Sequence, residues 1–194
     1  MNLWVRLLVY LITVPWRKRF SAPTDVSRLS FRVGLFDLDT NLHVNNGRYL
    51  TIADLGRLDL LVRAGLLRPA MQRGWAPVLS AAAVRFRREL KLFERFTLES
   101  QVRYWDDTLV VMEHRFRFAA GNRKGAIAAT LLMTGGLYDR KAKAFVPVAT
   151  LMRESGLHDE SPPLTPEIAA ILEAGRAMRA YDQSDETRVG SDQT

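Results

Sequence analysis

The chain contains no cysteine among its 194 residues. A disulfide framework, a cysteine-ligated zinc site and a thiol nucleophile are therefore excluded. Histidine is scarce. His43, His114 and His158 are the only three and lie far apart in sequence, which argues against a histidine-rich metal centre. No apolar run reaches the ~20 residues that a spanning helix needs. No internal repeat is evident. No helix-turn-helix, RNA-recognition or zinc-finger signature is present either, so nucleic acid is not expected as a partner.

The chain that remains has the make-up of one ordinary globular domain with short extensions, 47% hydrophobic and 25% charged. Its net charge of +7 and pI near 10.1 fit an anionic membrane surface or a phosphate-bearing substrate. They equally fit a surface that uses arginine for solubility.

Leu3 to Trp16 is apolar except for Arg6 and Thr13, and Arg17-Lys18-Arg19 follows. Trp4 and Trp16 near its ends suit a segment lying in a membrane interface. Docking of residues 1–20 on this protein's own core or on a second copy is an equal reading, and a cleaved signal is a third. Pro15 and Pro23 bracket a hinge before a main domain expected over residues 24–160. The corresponding locations are the cytoplasm or the periphery of a membrane.

Leu29 to Phe36 reads as a strand and Gly47 to Leu67 as a helix apolar around most of its circumference, which predicts burial on most sides. Gly65 and Pro69 mark its expected end. Val78 to Glu89, Phe96 to Trp105, Leu109 to Ala119 and Ala126 to Tyr138 read as four antiparallel strands joined by polar turns. His114 falls between arginines and glutamate, which suggests a solvated strand face. A C-terminal helix is expected over 161–182 and a disordered polar tail over 183–194. The fold class is α+β, and an uncovered sheet edge or face predicts a homodimer or homotetramer.

Between the first strand and the long helix stands Asp37-Leu38-Asp39-Thr40-Asn41-Leu42-His43-Val44-Asn45-Asn46. Such a polar cluster is costly to bury unless its groups satisfy each other or a ligand. A helix N-terminus beside it offers free N–H groups and partial positive charge. An acid, a base and an oxyanion-binding helix end in one segment point to attack on a carbonyl.

Strand, then Asp-x-Asn-x-His-Val-Asn-Asn-x-x-Tyr, then a long buried helix and a strand meander resembles the hot-dog thioesterases. These include 4-hydroxybenzoyl-CoA, acyl-CoA and plant acyl-carrier-protein thioesterases. The resemblance covers roughly Leu29 to Val148, and the apolar N-terminus suggests a poorly characterised thioesterase-like subgroup. It implies a hot-dog fold, an antiparallel sheet wrapped around a long central helix, and hydrolysis of an acyl-CoA or acyl-carrier-protein thioester without a metal or other cofactor. Asp39 matches the catalytic carboxylate, and Asn41 and His43 match its polar partners. Asp37 is not carried over. The glycine common before His-Val-Asn-Asn in bacterial members is absent.

In chemical terms Asp39 would act as base toward water or attack the carbonyl, with His43 orienting water or the carboxylate and Asn41 fixing the geometry. Backbone N–H groups at Asn46 and Gly47 would hold the oxyanion. Asn45 and Tyr49 would position substrate, although Asn45 or Asn46 also suits a simple helix cap and Tyr49 a packing role. Arg85, Arg87 and Arg88 are candidates for the CoA phosphates, competing with a solvated strand face. Period two places Arg85 and Arg87 together and Arg88 opposite. Two other functions remain open: a non-catalytic acyl-CoA or lipid-binding module, and an enoyl-thioester hydratase or dehydratase.

Overall fold

Four long period-two runs separated by short turns can pair only with their neighbours or across one crossover, and they do so. A computed structural model describes residues 3–191, with side chains as far as residue 186. The elements are α1 (Leu3–Thr13), β1 (Ser27–Arg32), α2 (Asn46–Arg63), α3 (Leu67–Arg73), β2 (Trp75–Phe86), β3 (Arg95–Trp105), β4 (Val110–Phe118), β5 (Ile127–Asp139), β6 (Ala144–Phe145), α4 (Val148–Ser155) and α5 (Pro166–Ser191). The sheet is antiparallel in the order β1-β3-β4-β5-β2, and β6 adds to β5.

One face of the sheet packs on α2. Tyr49, Ile52, Ala53 and Leu55 meet Phe96, Leu98, Phe116, Leu131 and Met133 in the main core. On the other face Ile168, Ile171 and Leu172 of α5 pack against Val111, Tyr104 and Leu132. The face that a single-helix arrangement would leave open is thus partly covered by α5. The long edges are β1 and β2.

Several boundaries differ from the sequence expectation for local reasons. β1 ends at Arg32, because Leu35–Asp37 closes into a 3₁₀ turn. The central helix stops at Arg63, where Gly65 takes φ +76°. Pro69 does not end that helix but sits in the first turn of α3, where its missing N–H costs nothing. The eight-residue α4 was not expected; only Val148, Leu151 and Ser155 of it are buried, too few for a periodic signal. α5 runs on to Ser191, so residues 183–191 are helical rather than disordered. That stretch is polar but contains no proline, and nothing before Gly190 forces a stop. Residues 192–194 lie outside the described residues.

His114 is fully buried, which overturns the solvated-face reading. It lies two residues before Phe116 and four before Phe118 on β4, so period two sends its ring to the core with those aromatics. Its Nδ1 shares a 2.8 Å hydrogen bond with Ser100 Oγ. Directly above this pair α2 comes close enough to need a glycine. A Cβ on Gly56 would overlap Ser100 Oγ and lie 3.0 Å from Leu98 Cδ2 and 3.1 Å from His114 Nδ1. Gly56→Ala should therefore destabilise the protein by about 1–3 kcal/mol, the usual cost of overpacking, despite the better helix propensity of alanine. Urea unfolding of the pair measures it, and equal midpoints would mean that α2 can lift at this point.

Candidate active site

The loop from Gly34 to Asn45 is held by backbone bonds at every step. Asp39 N–H donates to the His43 carbonyl at 2.9 Å and Leu42 N–H to the Asp39 carbonyl at 3.1 Å, making a tight hairpin. Val44 N–H reaches the Leu90 carbonyl and Asn45 N–H the Asp37 carbonyl, at 2.9 and 2.8 Å. This anchors the hairpin to the β2–β3 connection on one side and to the preceding turn on the other.

The hairpin closes only because Leu42 takes φ +60°, a left-handed conformation that glycine adopts without penalty and leucine does not. The residue is 72% exposed, so packing does not offset the strain. The glycine missing from the motif is missing at this position. Leu42→Gly should raise stability by about 0.5–1 kcal/mol, the left-handed penalty less the extra chain entropy of glycine. For a chain of this size that is roughly 1–4 °C in Tm. A lower Tm would show that the side chain makes a contact that outweighs its strain.

Within this frame the Asp39 side chain is partly buried, 19% exposed. Its Oδ1 accepts the Asn41 backbone N–H at 2.9 Å, and its Oδ2 lies 3.3 Å from His43 Nδ1. The structure thus brings Asp39, Asn41 and His43 together, but Asn41 contributes its backbone amide rather than its side chain. Aspartate accepting from the amide two residues on is an Asx turn, which any residue at position 41 can complete. Asn45 caps α2: its Oδ1 accepts Gly47 N–H at 2.9 Å, and its carbonyl accepts Arg48 N–H at 2.9 Å. Gly47 N–H is therefore engaged by the cap and is not a free oxyanion donor. That corrects the sequence assignment for Gly47 and leaves Asn46 N–H, the first amide of α2, as the remaining candidate donor.

Tyr49 is buried one turn below. Burial pushes its hydroxyl up to about 12, although that oxygen accepts the Leu90 N–H. The ring meets Phe86 and Phe116 edge-on, with centroids 5.3 and 4.9 Å away. It packs between those rings and ties down the loop through Leu90.

The three arginines do not follow period two. β2 ends at Phe86, and both Arg87 and Arg88 donate their N–H to the Ala128 carbonyl, so the strand alternation breaks there. Arg88 also donates a guanidinium N–H to the Ile127 carbonyl at 3.0 Å. Arg85 and Arg87 are exposed.

Asp37, set aside on sequence grounds, is the buried hinge of the loop. Arg6 of α1 grips it with two nitrogens at 3.0 and 2.6 Å, Gly34 N–H adds a bond at 2.8 Å, and Arg48 Nη2 lies at 3.1 Å. Burial pushes this carboxyl up, but Arg6, Gly34 and Arg48 outweigh it and hold the group below the usual carboxylate range. Its role is to fix the turn in which the Asp39 hairpin starts. Asp59 does the same further along α2, where it meets Tyr10, Arg17 and Ser27. Neither was legible, because their partners come from 31 and 49 residues earlier in the chain.

A cavity of about 340 Å³ follows the C-terminal part of α2, lined among others by Leu58, Leu61, Val78, Trp105, Met112 and Leu151. None of residues 37–49 lines it. On the inner side of α2, Ile52 and Ala53 pack in the main core with Leu98, and Gly56 lies against Ser100 and His114. Among the described residues no group of three or more His, Asp or Glu could hold a metal ion.

The chain is similar to several known proteins. Protein THEM6 of Xenopus laevis is 38% identical over 80 residues, which cover 41% of this chain and 39% of that protein. The chain spans less than half the length of the curated relatives it matches. Among solved structures, the probable thioesterase YbaW of Escherichia coli superposes with a TM-score of 0.59 at 23% identity, over 66% of this chain and 94% of that one. A 1,4-dihydroxy-2-naphthoyl-CoA thioesterase from Synechocystis gives a TM-score of 0.57 at 14% identity, over 68% and 95%. These likenesses establish the α+β hot-dog fold. The profile of the thioesterase-like superfamily matches residues 33–172, from the end of β1 to the packed turns of α5, and the chain belongs to that family.

Proposed function

We propose that the protein hydrolyses an acyl thioester, with CoA as the carrier, and that Asp39 is the reacting carboxylate. The observation that carries this reading is the geometry at Asp39. It is a carboxylate, its side chain 19% exposed, whose two oxygens are held by Asn41 N–H and His43, on the loop that leads into the N-terminus of an 18-residue helix. The carboxylate takes a proton from water or attacks the carbonyl carbon itself. The carbonyl oxygen, as it gains charge, turns to Asn46 N–H and the positive end of α2. His43 keeps Oδ2 in place. The departing thiolate is a fair leaving group and needs no strong acid.

The 340 Å³ cavity is not lined by any of residues 37–49, so the acyl group is placed elsewhere in this reading. Exposed Leu42 and Phe86 flank the loop instead, and Phe93 is exposed on the adjoining segment. They offer an apolar surface that a second copy joined at the β2 edge would close over. Arg85 and Arg87, at the end of the same strand, suit the CoA phosphates. Arg88 is less available, being tied to Ile127.

The test is release of free thiol from a panel of acyl-CoA substrates, run beside hydration of a crotonyl-type thioester. Thiol release above the uncatalysed rate supports the reading. Hydration without thiol release would make the protein a hydratase, and thermal stabilisation by acyl-CoA with neither reaction would make it a binding module.

A further inference from the structure

Helix α1 is built inside out. A helix that docks on its own domain buries an apolar stripe and shows polar residues to water. Here the fully buried positions are Arg6 and Tyr10. The outward positions are Trp4, Val5, Leu8, Val9, Leu11 and Ile12, all exposed, and Trp16 beyond the helix is 79% exposed. The inner face combines polar bonds, Arg6 with Asp37 and Tyr10 with Asp59, with the packing of Leu3, Leu7 and Tyr10 on the main core. Such a face in water is far more apolar than an ordinary protein surface and marks an interaction site.

We propose that the outer face of α1 lies in the interface of a lipid bilayer carrying anionic headgroups. Three observations choose a membrane over a protein partner. The first 24 residues contain four cations and no acidic residue; Arg6 and Arg17 pair with Asp37 and Asp59 on the inner side, which leaves Lys18 and Arg19 for the headgroups. Lys18 and Arg19 are exposed immediately after the apolar face, where lipid headgroups would meet them. The two exposed tryptophans stand at opposite ends of the apolar stretch, the placement that suits their amphipathic rings at a headgroup boundary. The 11 residues of α1 extend only ~16 Å, about half the hydrocarbon thickness, so the helix lies on the bilayer and does not cross it.

The polar underside then acquires a purpose. Arg6 joins α1 to the turn that starts the Asp39 hairpin, and that turn exposes Leu35 and Phe36 as well. Through these bonds the helix on the lipid is tied to the turn that starts the Asp39 loop, which sets the height of that loop over the surface. A long-chain acyl thioester, which itself partitions into bilayers, is the substrate class such a mounting favours. Lipid binding by α1 does not depend on Asp39 being catalytic, and its test reads binding alone.

The purified full chain should co-sediment with phosphatidylcholine vesicles containing phosphatidylglycerol, less with phosphatidylcholine alone, and less again as salt is raised. A Trp4→Ser, Leu8→Ser, Ile12→Ser variant should lose at least ten-fold in partitioning while keeping its thermal midpoint and its elution volume on gel filtration. These side chains are exposed, so the fold should tolerate them; should the triple variant unfold, single Leu8→Glu gives the same reading. Wild-type protein that stays in the supernatant with both vesicles overturns the proposal. So does a variant that binds vesicles as well as wild type. A drop in oligomer size in the variant, without vesicle binding by wild type, would assign the face to a second copy of the chain.

Discussion

Asp39→Asn should lower thiol release from the best acyl-CoA substrate by at least about 100-fold, the low end of what a general base contributes. The substitution is chosen because the amide preserves the local structure. Its oxygen can still accept the Asn41 N–H that now stands 2.9 Å from Oδ1, and asparagine is as good as aspartate in an Asx turn. The hairpin bonds Asp39 N–H to His43 and Leu42 N–H to Asp39 involve backbone only and survive. What is lost is the negative charge and the lone pair that takes a proton or meets the carbonyl carbon. The loss should therefore appear in kcat, with KM little changed and the thermal midpoint within a degree or two. His43→Ala should fall short of that loss, because His43 meets the carboxylate and not, in this geometry, the carbonyl. Combined with Asp39→Asn it should add little, as expected of a group that acts through its partner. Full activity in Asp39→Asn would remove the carboxylate from the reaction.

The order of elements was legible because it rests on short-range pattern. Four period-two runs and one helix wrapped in apolar residues specify an antiparallel sheet on a helix almost without regard to long-range contacts. The location of the candidate site was legible too, since Asp39, Asn41, His43 and the cap of α2 are all local to one loop. What escaped was what long-range contacts decide. The reversal of α1, with Arg6 inward and Leu8 outward, depends on Asp37 and Asp59 waiting on other elements. Composition alone would have turned the apolar face in. Asp37 looked dispensable beside Asp39 because a carboxylate's role depends on whether arginines reach it, and Arg6 reaches it across 31 residues. The break after Phe86, where Arg87 and Arg88 share one carbonyl, is likewise invisible to a period-two argument. His114 is different in kind. Its parity with Phe116 and Phe118 was readable, and its arginine and glutamate neighbours drew attention to the wrong face.

His114 also makes stability depend on pH in a range where this fold has little other reason to change. Burial, assisted by the nearby Arg57 charge, pushes its imidazole down to about 3 from an ordinary value near 6.5. Above pH 6.5 the ring is neutral in both folded and unfolded chains, so it adds no pH dependence there. As pH falls below 6.5 the unfolded chain takes up a proton that the folded chain refuses, and each unit costs about 1.4 kcal/mol. Wild-type protein should thus lose roughly 2 kcal/mol between pH 7 and pH 5, or about 4–8 °C in Tm, and approach ~5 kcal/mol of loss near pH 3. The carboxylates that tie the fold together enter later. Asp37 is buried and Glu99 partly buried, which raises them, but Arg6 in one case and Arg117 with Arg28 in the other hold them below the usual range. The stability they add is full above that range and fades only as pH drops through it, leaving the interval from 7 to 5 mainly to His114. Replacing both members of the buried pair, as His114→Leu with Ser100→Ala, removes the titrating ring and leaves no orphaned hydroxyl. Urea midpoints of that double variant should be nearly flat between pH 7 and 5 while the wild type slopes. Parallel slopes would mean that the core opens to let His114 protonate, or that another group carries the acid sensitivity.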